Sequence, residues 1–257
     1  MKLYSFYNLG NTCYLNSVLA CFVSNQAFLE SIESNDSELA VLLKNIKVDF
    51  TDNEEYTNHK CNPVKIHFLF KNKFRIFQQH DAHEFLLEFM DVLKLKEYTG
   101  KLKTDITCKR CTNTIEKYEE FVTIDLNIHG NLTESFMEYL KRESIEYRCE
   151  KCGNDTTAKK ISIHTLPKFL IVVIKRYSPT GQKINEKVIF STELVINETA
   201  YNLYGVIYHH GNSERGHYNC SVKVNNKWYF IDDDMIKVSE EIFDYTAGYI
   251  LFYQRNE

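Results

Sequence analysis

Cys13 lies in the stretch NLGNTCYLNS, between a polar turn that contains Gly10 and the start of a predicted helix. Helix N-termini favour a thiolate, because backbone N–H groups and the helix dipole stabilise negative charge there. A packed core thiol, a metal ligand and a nucleophile are all consistent with this position alone. A cysteine nucleophile also needs a base, and the base needs a group that orients it.

His217 is the histidine best placed to be that base. A polar loop, HGNSERG, precedes it, and a predicted strand that begins at Tyr218 follows it. Catalytic side chains are often presented in this way, at the mouth of a loop and on a rigid strand. Asn225 and Asn226 form a predicted two-residue hairpin turn between this strand and the next one.

The hairpin register predicts which acidic residue orients His217. It places Asp234 directly opposite His217, and Asp232 diagonally from it on the same face of the sheet. It places Asp233 on the opposite face. The competing interpretation of this acidic run is a solvated turn.

Four of the eight cysteines form two C-x-x-C pairs, CKRC and CEKC. Each pair can hold two thiolates on one tight turn, and two pairs complete a tetrahedral zinc site. Because all four ligands would come from the protein, the spacing predicts a structural zinc, with paired or redox cysteines as the alternatives. The predicted ligands are Cys108, Cys111, Cys149 and Cys152. Cys21, Cys61 and Cys220 are predicted to be buried thiols.

The elements that must position these residues change in type along the chain. The first ~95 residues carry helical spacing of apolar residues, in segments that include HDAHEFLLEFMDVL, where Asp81 can cap the helix. From about Lys101 short alternating runs predict strands, interrupted by one helix, LTESFMEYLKRE. FLIVVIKRY is typical of a strand buried on both faces. We predict the α+β class, with a helical lobe packed on a largely antiparallel sheet.

Composition excludes several classes of protein. The chain has 257 residues, 44% of them hydrophobic, with only 3 prolines and 9 glycines, which favours a folded domain without long linkers. The formal net charge of −4 gives no overall basic field for nucleic acid, and no apolar run is long enough to span a membrane. The N-terminus does not resemble a signal peptide. A cytoplasmic or nuclear location is therefore expected.

The motifs, taken together, resemble those of the ubiquitin-specific proteases. NLGNTCYLNS resembles the family's cysteine box and GHYNCSVKVNNKWYFIDDD its histidine box, with QQHDAHEFL, YRCEKC and YNLYGVIYHHGNSERGHY between them in the family's order. The resemblance covers about Phe6 to Tyr253. It implies a single papain-like cysteine protease domain over 1–257, in a compact version. The implied parts are a helical thumb at about 1–98, zinc-bearing β fingers at about 101–165 and a β-rich palm at about 166–257.

The resemblance also implies roles for individual residues. Cys13 matches the family's nucleophile, His217 its base and Asp232 the third member of the triad. Asn8 matches the oxyanion-stabilising residue, although a turn former is the alternative. Asp233 matches a neighbouring aspartate with a supporting role.

QQHDAHEFL resembles the segment that binds the C-terminal tail of ubiquitin in the family. Asp81 and Glu84 are the implied carboxylate partners for arginines of that tail. His83 stands where the family most often has glutamine, and a neutral histidine can replace the amide as a hydrogen-bond donor.

The implied function is hydrolysis of the peptide or isopeptide bond after the C-terminal glycine of ubiquitin, through a thioester intermediate. Ubiquitin and ubiquitinated proteins are the expected partners, and a regulatory activator is a further expectation left open. The runner-up is a protease for a ubiquitin-like modifier such as SUMO or NEDD8. A silent ubiquitin-binding scaffold is disfavoured because all three triad residues are present, and a zinc-dependent nucleic-acid binder because of the net charge.

Overall fold

The computed structural model describes residues 3–48, 58–178, 180–212 and 215–256. Its helices are α1 Cys13–Val23, α2 Gln26–Ser31, α3 Glu38–Val48, α4 Val64–Leu69, α5 Ala82–Leu93, a 3₁₀ helix Lys96–Tyr98, and α6 Leu132–Tyr139. In the described part of the chain, no helix combines the length and the hydropathy that crossing a membrane requires.

The strands occupy most of the second half of the chain. They are β1 Leu3–Phe6, β2 Asn58–Cys61, β3 Gly100–Cys108, β4 Thr114–Phe121, β5 Thr123–Leu126, β6 Glu143–Glu146, β7 Thr156–Thr165, β8 Phe169–Ile174, β9 Glu193–Ile196, β10 Thr199–Gly211, β11 Gly216–Val224, β12 Lys227–Asp232, β13 Met235–Ser239 and β14 Gly248–Arg255.

Three sheets are formed by the described strands. The largest has the order β13-β12-β11-β10-β14-β8-β5, with β9 paired to β10 beside this path. All its ladders are antiparallel except β5 with β8, which is parallel. A second sheet, β4-β3-β7-β6, is antiparallel, and β1 pairs with β2 in parallel. The predicted α+β class is confirmed, whereas the β1–β2 pair within the helical lobe was not predicted.

Strand β8 shows why the large sheet is stable. All six of its residues are buried, as the apolar run predicts. Phe169, Ile171 and Val173 belong to the core shared with the helices, while Leu170, Val172 and Ile174 belong to the core on the other face. The strand period of two thus supplies both faces from one apolar run.

Helix α1 is the element that carries the candidate nucleophile, and all 11 of its residues are buried. It lies against β11 on one side and α5 on another. Because each side of the helix is covered, its position relative to the strand that carries His217 is fixed by packing.

Helix α6 differs from its predicted length. Asn131 caps its start, because its Oδ1 accepts from Glu134 N at 2.9 Å. The prediction that the helix continues to Glu143 is wrong, because it ends at Tyr139. Glu143–Glu146 instead pairs with β7, and backbone pairing at the edge of the second sheet outweighs the helical pattern there.

Candidate active site

Cys13 is the first residue of α1 and is only 4% exposed. The turn before it requires two left-handed residues, Gly10 at φ +102° and Asn11 at φ +59°. Thr12 fastens this turn, because its hydroxyl accepts from Leu9 N at 2.9 Å. The thiol therefore lies at the N-terminus of α1, as the sequence predicts.

His217 lies at the start of β11, and its Nε2 is 2.5 Å from Asp232 Oδ1. The side chains of His217 and Asp232 are 42% and 29% exposed. The pKa of His217 is raised to about 9, first by its hydrogen bond with Cys13 and also by Asp232, while burial acts against the charged form. The structure thus brings Cys13, His217 and Asp232 together, although they are far apart in sequence.

The hairpin between β11 and β12 has the predicted register. Val224 pairs with Lys227, and the ladder continues to Cys220 opposite Ile231. Asn225 and Asn226 both have positive φ, 51° and 59°, as a two-residue hairpin turn of this kind requires. This register places Asp232 next to His217.

The positions that the hairpin register predicts for Asp233 and Asp234 are wrong. Asp232 pairs with Met235 in a second hairpin, so Asp233 and Asp234 form its turn and do not extend the ladder. Asp233 has φ +49°, and one of its carboxylate oxygens lies within 4.8 Å of ligand atoms of both His217 and Asp232. Asp234 does not lie opposite His217 in a ladder but pairs with Lys60 at 2.9 Å.

Asp233 also holds the segment that contains Asn8. Its two carboxylate oxygens accept from Asn8 Nδ2 and Asn16 Nδ2, each at 2.8 Å. Its carbonyl accepts from Phe6 N at 2.9 Å. These bonds tie the turn to both the start of the chain and helix α1.

The amide of Asn8 has a fixed orientation. Its Oδ1 accepts from Gly10 N at 2.9 Å and from Thr12 N at 3.1 Å, so its Nδ2 faces Asp233. Among the described residues, Asp233 is the one acceptor of this nitrogen, which carries two hydrogens. Asn8 is therefore both a turn former and an amide with one hydrogen left to donate.

A cleft of about 220 Å³ adjoins Cys13. His209 in its wall is 4% exposed, and its Nδ1 is 2.7 Å from the Tyr177 hydroxyl. Burial, together with the nearby charge of Lys183, lowers the pKa of His209 to about 4, so its imidazole is neutral. Its neighbours in the lining are Asn11, Gln79, His80, Asp81, Tyr177, Asn212, Gly216 and Tyr218.

Gln79 joins the two sides of this cleft. Its Nε2 donates to Gly216 O at 2.8 Å, and its Oε1 accepts from Gly216 N at 2.9 Å. Gly216 is the residue before His217, and a Cβ there would lie 2.0 Å from His209 Nε2. A glycine is thus required at position 216, where Gln79 of the helical lobe binds the strand that carries His217.

Arg176, the residue before Tyr177 of the cleft wall, is fully buried. Burial lowers its pKa to about 10. Its guanidinium satisfies its donors on backbone carbonyls at 2.6–3.3 Å, those of Gly248, Ile184, Glu186 and Tyr245. These bonds connect two chain segments, 184–186 and 245–248, through one side chain.

Asp81 is the N-cap of α5, as predicted, and is saturated by donors. Oδ1 accepts from His83 N at 2.8 Å and Glu84 N at 3.1 Å. The hydroxyls of Tyr218 and Tyr249 donate to Oδ2 at 3.1 and 3.0 Å. Burial and then the charge of Asp81 raise the pKa values of both tyrosines, so both hydroxyls keep their protons.

His83 and Glu84 differ in their surroundings. His83 Nε2 is 3.2 Å from the Thr123 hydroxyl and 3.8 Å from Asp125, so it bridges α5 to β5. Glu84 is exposed. Of the three residues predicted to bind a tail, Glu84 offers the free carboxylate.

The four predicted metal-ligating cysteines form one cluster, with all Sγ atoms within 4.8 Å of one another. The sulfurs of Cys108 and Cys152 are 3.6 Å apart, and those of Cys111 and Cys149 are 3.7 Å apart. A disulfide needs about 2.05 Å. A tetrahedral ion with Zn–S bonds of about 2.3 Å places sulfurs about 3.8 Å apart. The cluster therefore fits zinc and could hold it.

The two cysteine turns repeat one backbone design. Gly153 N donates to Cys149 O at 2.8 Å, and Thr112 N donates to Cys108 O at 3.1 Å. Gly153 and Thr112 both have positive φ, 70° and 56°. The turns thus present their cysteines in equivalent ways, at one end of the β3–β7 ladder.

Comparison with known proteins gives the family. The family model described as "Ubiquitin carboxyl-terminal hydrolase" matches residues 4–253. The chain belongs to the ubiquitin carboxyl-terminal hydrolase family. This match confirms the family expected from the cysteine and histidine boxes.

Individual members of the ubiquitin carboxyl-terminal hydrolase family are longer than this chain. Ubiquitin carboxyl-terminal hydrolase 25 of Arabidopsis thaliana is 29% identical, over 97% of this chain and 47% of the relative. Ubiquitin carboxyl-terminal hydrolase 23 of the same plant is 26% identical, over 97% of this chain and 35% of the relative. The chain spans about a third to about half the length of these relatives.

The fold matches a solved member of the family. In the SAGA DUB module of Ubp8, Sgf11, Sus1 and Sgf73 bound to monoubiquitin, one chain superposes with a TM-score of 0.84 at 21% identity. The match covers 99% of this chain and 69% of that chain. The predicted ubiquitin-specific protease fold is thereby confirmed.

The residues that the sequence did not predict are His209 and Gln79, which line the cleft, and Arg176, which precedes the lining residue Tyr177. The signal for His209 is its place in the sequence: it immediately precedes the loop HGNSERG that leads to His217, and its strand pairs with the strand of His217, with His209 opposite Tyr218. Gln79 and Arg176 act through backbone atoms of residues distant in sequence, and residue types alone give no signal for such bonds.

Proposed function

We propose that this chain is a cysteine-type deubiquitinase, which hydrolyses the bond after the C-terminal glycine of ubiquitin. The observation that carries the proposal is His217, hydrogen-bonded to Asp232 and with a pKa that Cys13 raises, beside a cleft lined in part by Cys13, in a chain whose family match spans residues 4–253. The relatives' names and the monoubiquitin in the matched structure support ubiquitin as the substrate.

The reaction begins with the thiolate of Cys13. His217 takes the thiol proton, or the two rest as an ion pair, which agrees with the raised pKa of His217. The thiolate attacks the terminal carbonyl carbon, and His217 gives its proton to the leaving amine. Water then attacks the thioester with His217 as base, releasing ubiquitin and restoring the thiol.

Asp232 orients the imidazole and stabilises its protonated form. Since Asp232 binds Nε2, the nitrogen left to face Cys13 is Nδ1. This division lets one ring serve as base and acid without losing its orientation.

Asn8 and the backbone N–H of Cys13 stabilise the developing oxyanion, an interaction commonly worth ~3–4 kcal/mol. The remaining amide hydrogen of Asn8 supplies the donor. Asp233 supports it by binding the other hydrogen at 2.8 Å, which holds the amide in place before substrate arrives.

The cleft next to Cys13 admits the two terminal glycines of the tail. Its wall of neutral His209, Tyr177 and Tyr218 leaves room for little more than a chain without side chains in about 220 Å³. Glu84 then binds an arginine of the tail, while Asp81 and His83 act mainly by fixing α5 and the tyrosines.

Cys108, Cys111, Cys149 and Cys152 would hold one structural zinc ion. The ion would join the turn after β3 to the turn before β7 and would supply no chemistry at Cys13. Loss of the ion would separate Cys108 from Cys152 and weaken the second sheet.

The helices before Gly100 form the thumb, the second sheet forms the fingers, and the large sheet forms the palm. Strand β5 lies within the fingers range of 101–165 but pairs with β8 of the large sheet, so it anchors the fingers to the palm. In the matched structure Ubp8 is in a complex with Sgf11, Sus1 and Sgf73. By analogy with that complex, we propose that an activator protein binds this chain.

A ubiquitin probe with an electrophile at its C-terminus tests the function. We expect covalent labelling of Cys13 in the wild type, none in Cys13→Ala, and unchanged labelling in Cys61→Ala, a buried thiol in β2. Parallel SUMO and NEDD8 probes distinguish the modifiers. Labelling of a cysteine other than Cys13, or faster labelling by SUMO or NEDD8 than by ubiquitin, would overturn the proposal.

A further inference from the structure

A second group of metal-ligating side chains lies outside the cysteine cluster. His217, Asp232 and Asp233 each offer one ligand atom, and the three atoms lie within 4.8 Å of one another. All three side chains are partly exposed. An imidazole with two carboxylates is a donor set suited to Zn²⁺.

We propose that His217, Asp232 and Asp233 form a reversible binding site for a divalent zinc ion, and that the bound ion switches off the base. The site is distinct from the four-cysteine cluster and goes beyond the proposed deubiquitinase reaction. Its ligand atoms are Nε2 of the histidine and one oxygen from each aspartate.

The three ligand atoms lie close enough for a small tetrahedral ion once the distance between His217 and Asp232 has increased. Bonds of about 2.0–2.1 Å to nitrogen and oxygen place neighbouring ligands about 3.3 Å apart. The His217 to Asp232 distance of 2.5 Å must therefore open by roughly 0.8 Å. Small rotations of partly exposed side chains provide this change, and water completes the fourth position.

Asp233 is already oriented as a metal ligand. Its oxygens accept from the amides of Asn8 and Asn16, at 2.8 Å each, and its carbonyl is bound by Phe6 N. A carboxylate has about four lone-pair positions, so each oxygen keeps one for a cation. Hydrogen-bonded carboxylates of this kind are typical of metal sites, because the second shell fixes the ligand.

The charge of the group favours a cation. Asp232 and Asp233 supply two negative charges beside one imidazole. The nearby ammonium of Lys60 is paired with Asp234 at 2.9 Å. A zinc ion would neutralise both carboxylates without displacing that ion pair.

Binding exchanges a proton for the metal, with no change of oxidation state. The N–H bond at His217 Nε2, shared with Asp232, breaks, its proton leaves to solvent, and an N–Zn bond forms. The ring keeps one proton, on Nδ1 facing Cys13. If the ring donated this proton, it would become a metal-bound imidazolate. The zinc-bound ring is therefore a much weaker acid than imidazolium, and the leaving amine is protonated and released slowly.

Zinc binding is measured by equilibrium dialysis and metal analysis on protein whose cysteine cluster is loaded. We expect the wild type to bind one further, dissociable zinc ion. Cys13→Ala should keep it, Asp233→Asn should bind it at least about tenfold more weakly, and Asp234→Asn should match the wild type. Asp232→Asn provides a second ligand variant should Asp233→Asn fold poorly.

Two results of the dialysis would overturn the proposal. One is the absence of a further zinc ion in the wild type. The other is its loss in Cys13→Ala together with its retention in Asp233→Asn, which would place the ion on the thiol. This arm uses no substrate, so its outcome is separate from that of the deubiquitinase proposal.

Turnover gives the second arm, which does rest on the proposed function. Half-inhibition of ubiquitin cleavage should occur at the zinc concentration that half-saturates the site in dialysis. The residual activity of Asp233→Asn should need at least about tenfold more zinc for the same fractional loss. Full activity at saturating zinc would refute the effect on the base.

Discussion

Replacing Asp81 by alanine should destabilise the fold more than it weakens substrate binding. The carboxylate caps α5 with two backbone N–H groups and accepts from the hydroxyls of Tyr218 and Tyr249. Both tyrosines are at most 7% exposed. Removing Asp81 therefore leaves donors with no acceptor in a buried place.

The magnitude follows from these bonds. Loss of the cap costs about 1 kcal/mol. Each tyrosine loses a hydrogen bond to a charged group, about 1.5–3 kcal/mol if the hydroxyl stays dry. Since Asp81 lines the cleft, water reaches part of the truncated site, and we expect about 3–4 kcal/mol in total.

Urea unfolding measures this loss. With a slope of about 3 kcal/mol per molar urea, the midpoint of Asp81→Ala should fall by about 1 M. Asp81→Asn should lose less than half as much, because asparagine is also a good cap. Glu84→Ala is the matched control, since its exposed carboxylate should change stability by less than about 0.5 kcal/mol while raising KM.

A double-mutant cycle tests the physical reason. The cost of Asp81→Ala should be smaller by about 1 kcal/mol or more in a Tyr249→Phe background, where one donor is already gone. An unchanged urea midpoint for Asp81→Ala, combined with a large rise in KM, would refute this reasoning. The carboxylate would then be free to bind the tail.

Asp232→Ala should lower turnover strongly and Asp232→Asn less so, while Asp234→Ala stays near the wild type; steady-state kinetics with a fluorogenic ubiquitin substrate would show a wrong triad if this order reversed. Wild-type protein should contain one tightly bound zinc, and Cys149→Ser should lose it together with solubility and thermal stability; metal analysis and calorimetry would contradict the structural role if stability were unchanged. Cys13→Ala should lower the pKa of His217 from about 9 towards 6.5, because the largest cause of the rise is removed; proton NMR of the ring follows it. The pKa of His217 is higher in the folded state than in the unfolded state, so protonated His217 stabilises the fold fully below pH 6.5 and this stabilisation is lost as the pH rises through about 9. If Cys13→Ala had the same dependence of stability on pH as the wild type, the contact between Cys13 and His217 would be contradicted.

Much of the architecture was predictable because its signals are local. The apolar run of β8 and the asparagine pair at 225–226 determine a buried strand and a hairpin register from a few neighbouring residues. That register delivered Asp232 to His217. The cysteine turns were predictable for the same reason, since each needs only a short spacing.

The unpredicted features depend on contacts between distant residues or on one backbone angle. Asp233 faces the site because a single residue with φ +49° turns the chain out of the ladder, and the alternation rule ends there. The Gln79–Gly216 clamp spans 137 residues, and β1 finds its partner β2 across the helical lobe. The periodicity of the sequence does not predict contacts between residues so far apart in the chain.

The bond between Asn8 and Asp233 joins residues 225 positions apart. Closing so long a loop costs conformational entropy, so contacts of this kind form after the local elements. The N-terminal segment and the turn that contains Asp233 can therefore meet only when β11 to β13 are in place. Cys13 precedes His217 and Asp232 in the sequence by more than 200 residues, so its thiol can gain these two neighbours only after both have been synthesised. The candidate site is therefore assembled from both ends of the described chain, and it is complete only when the contact between Asn8 and Asp233 has closed.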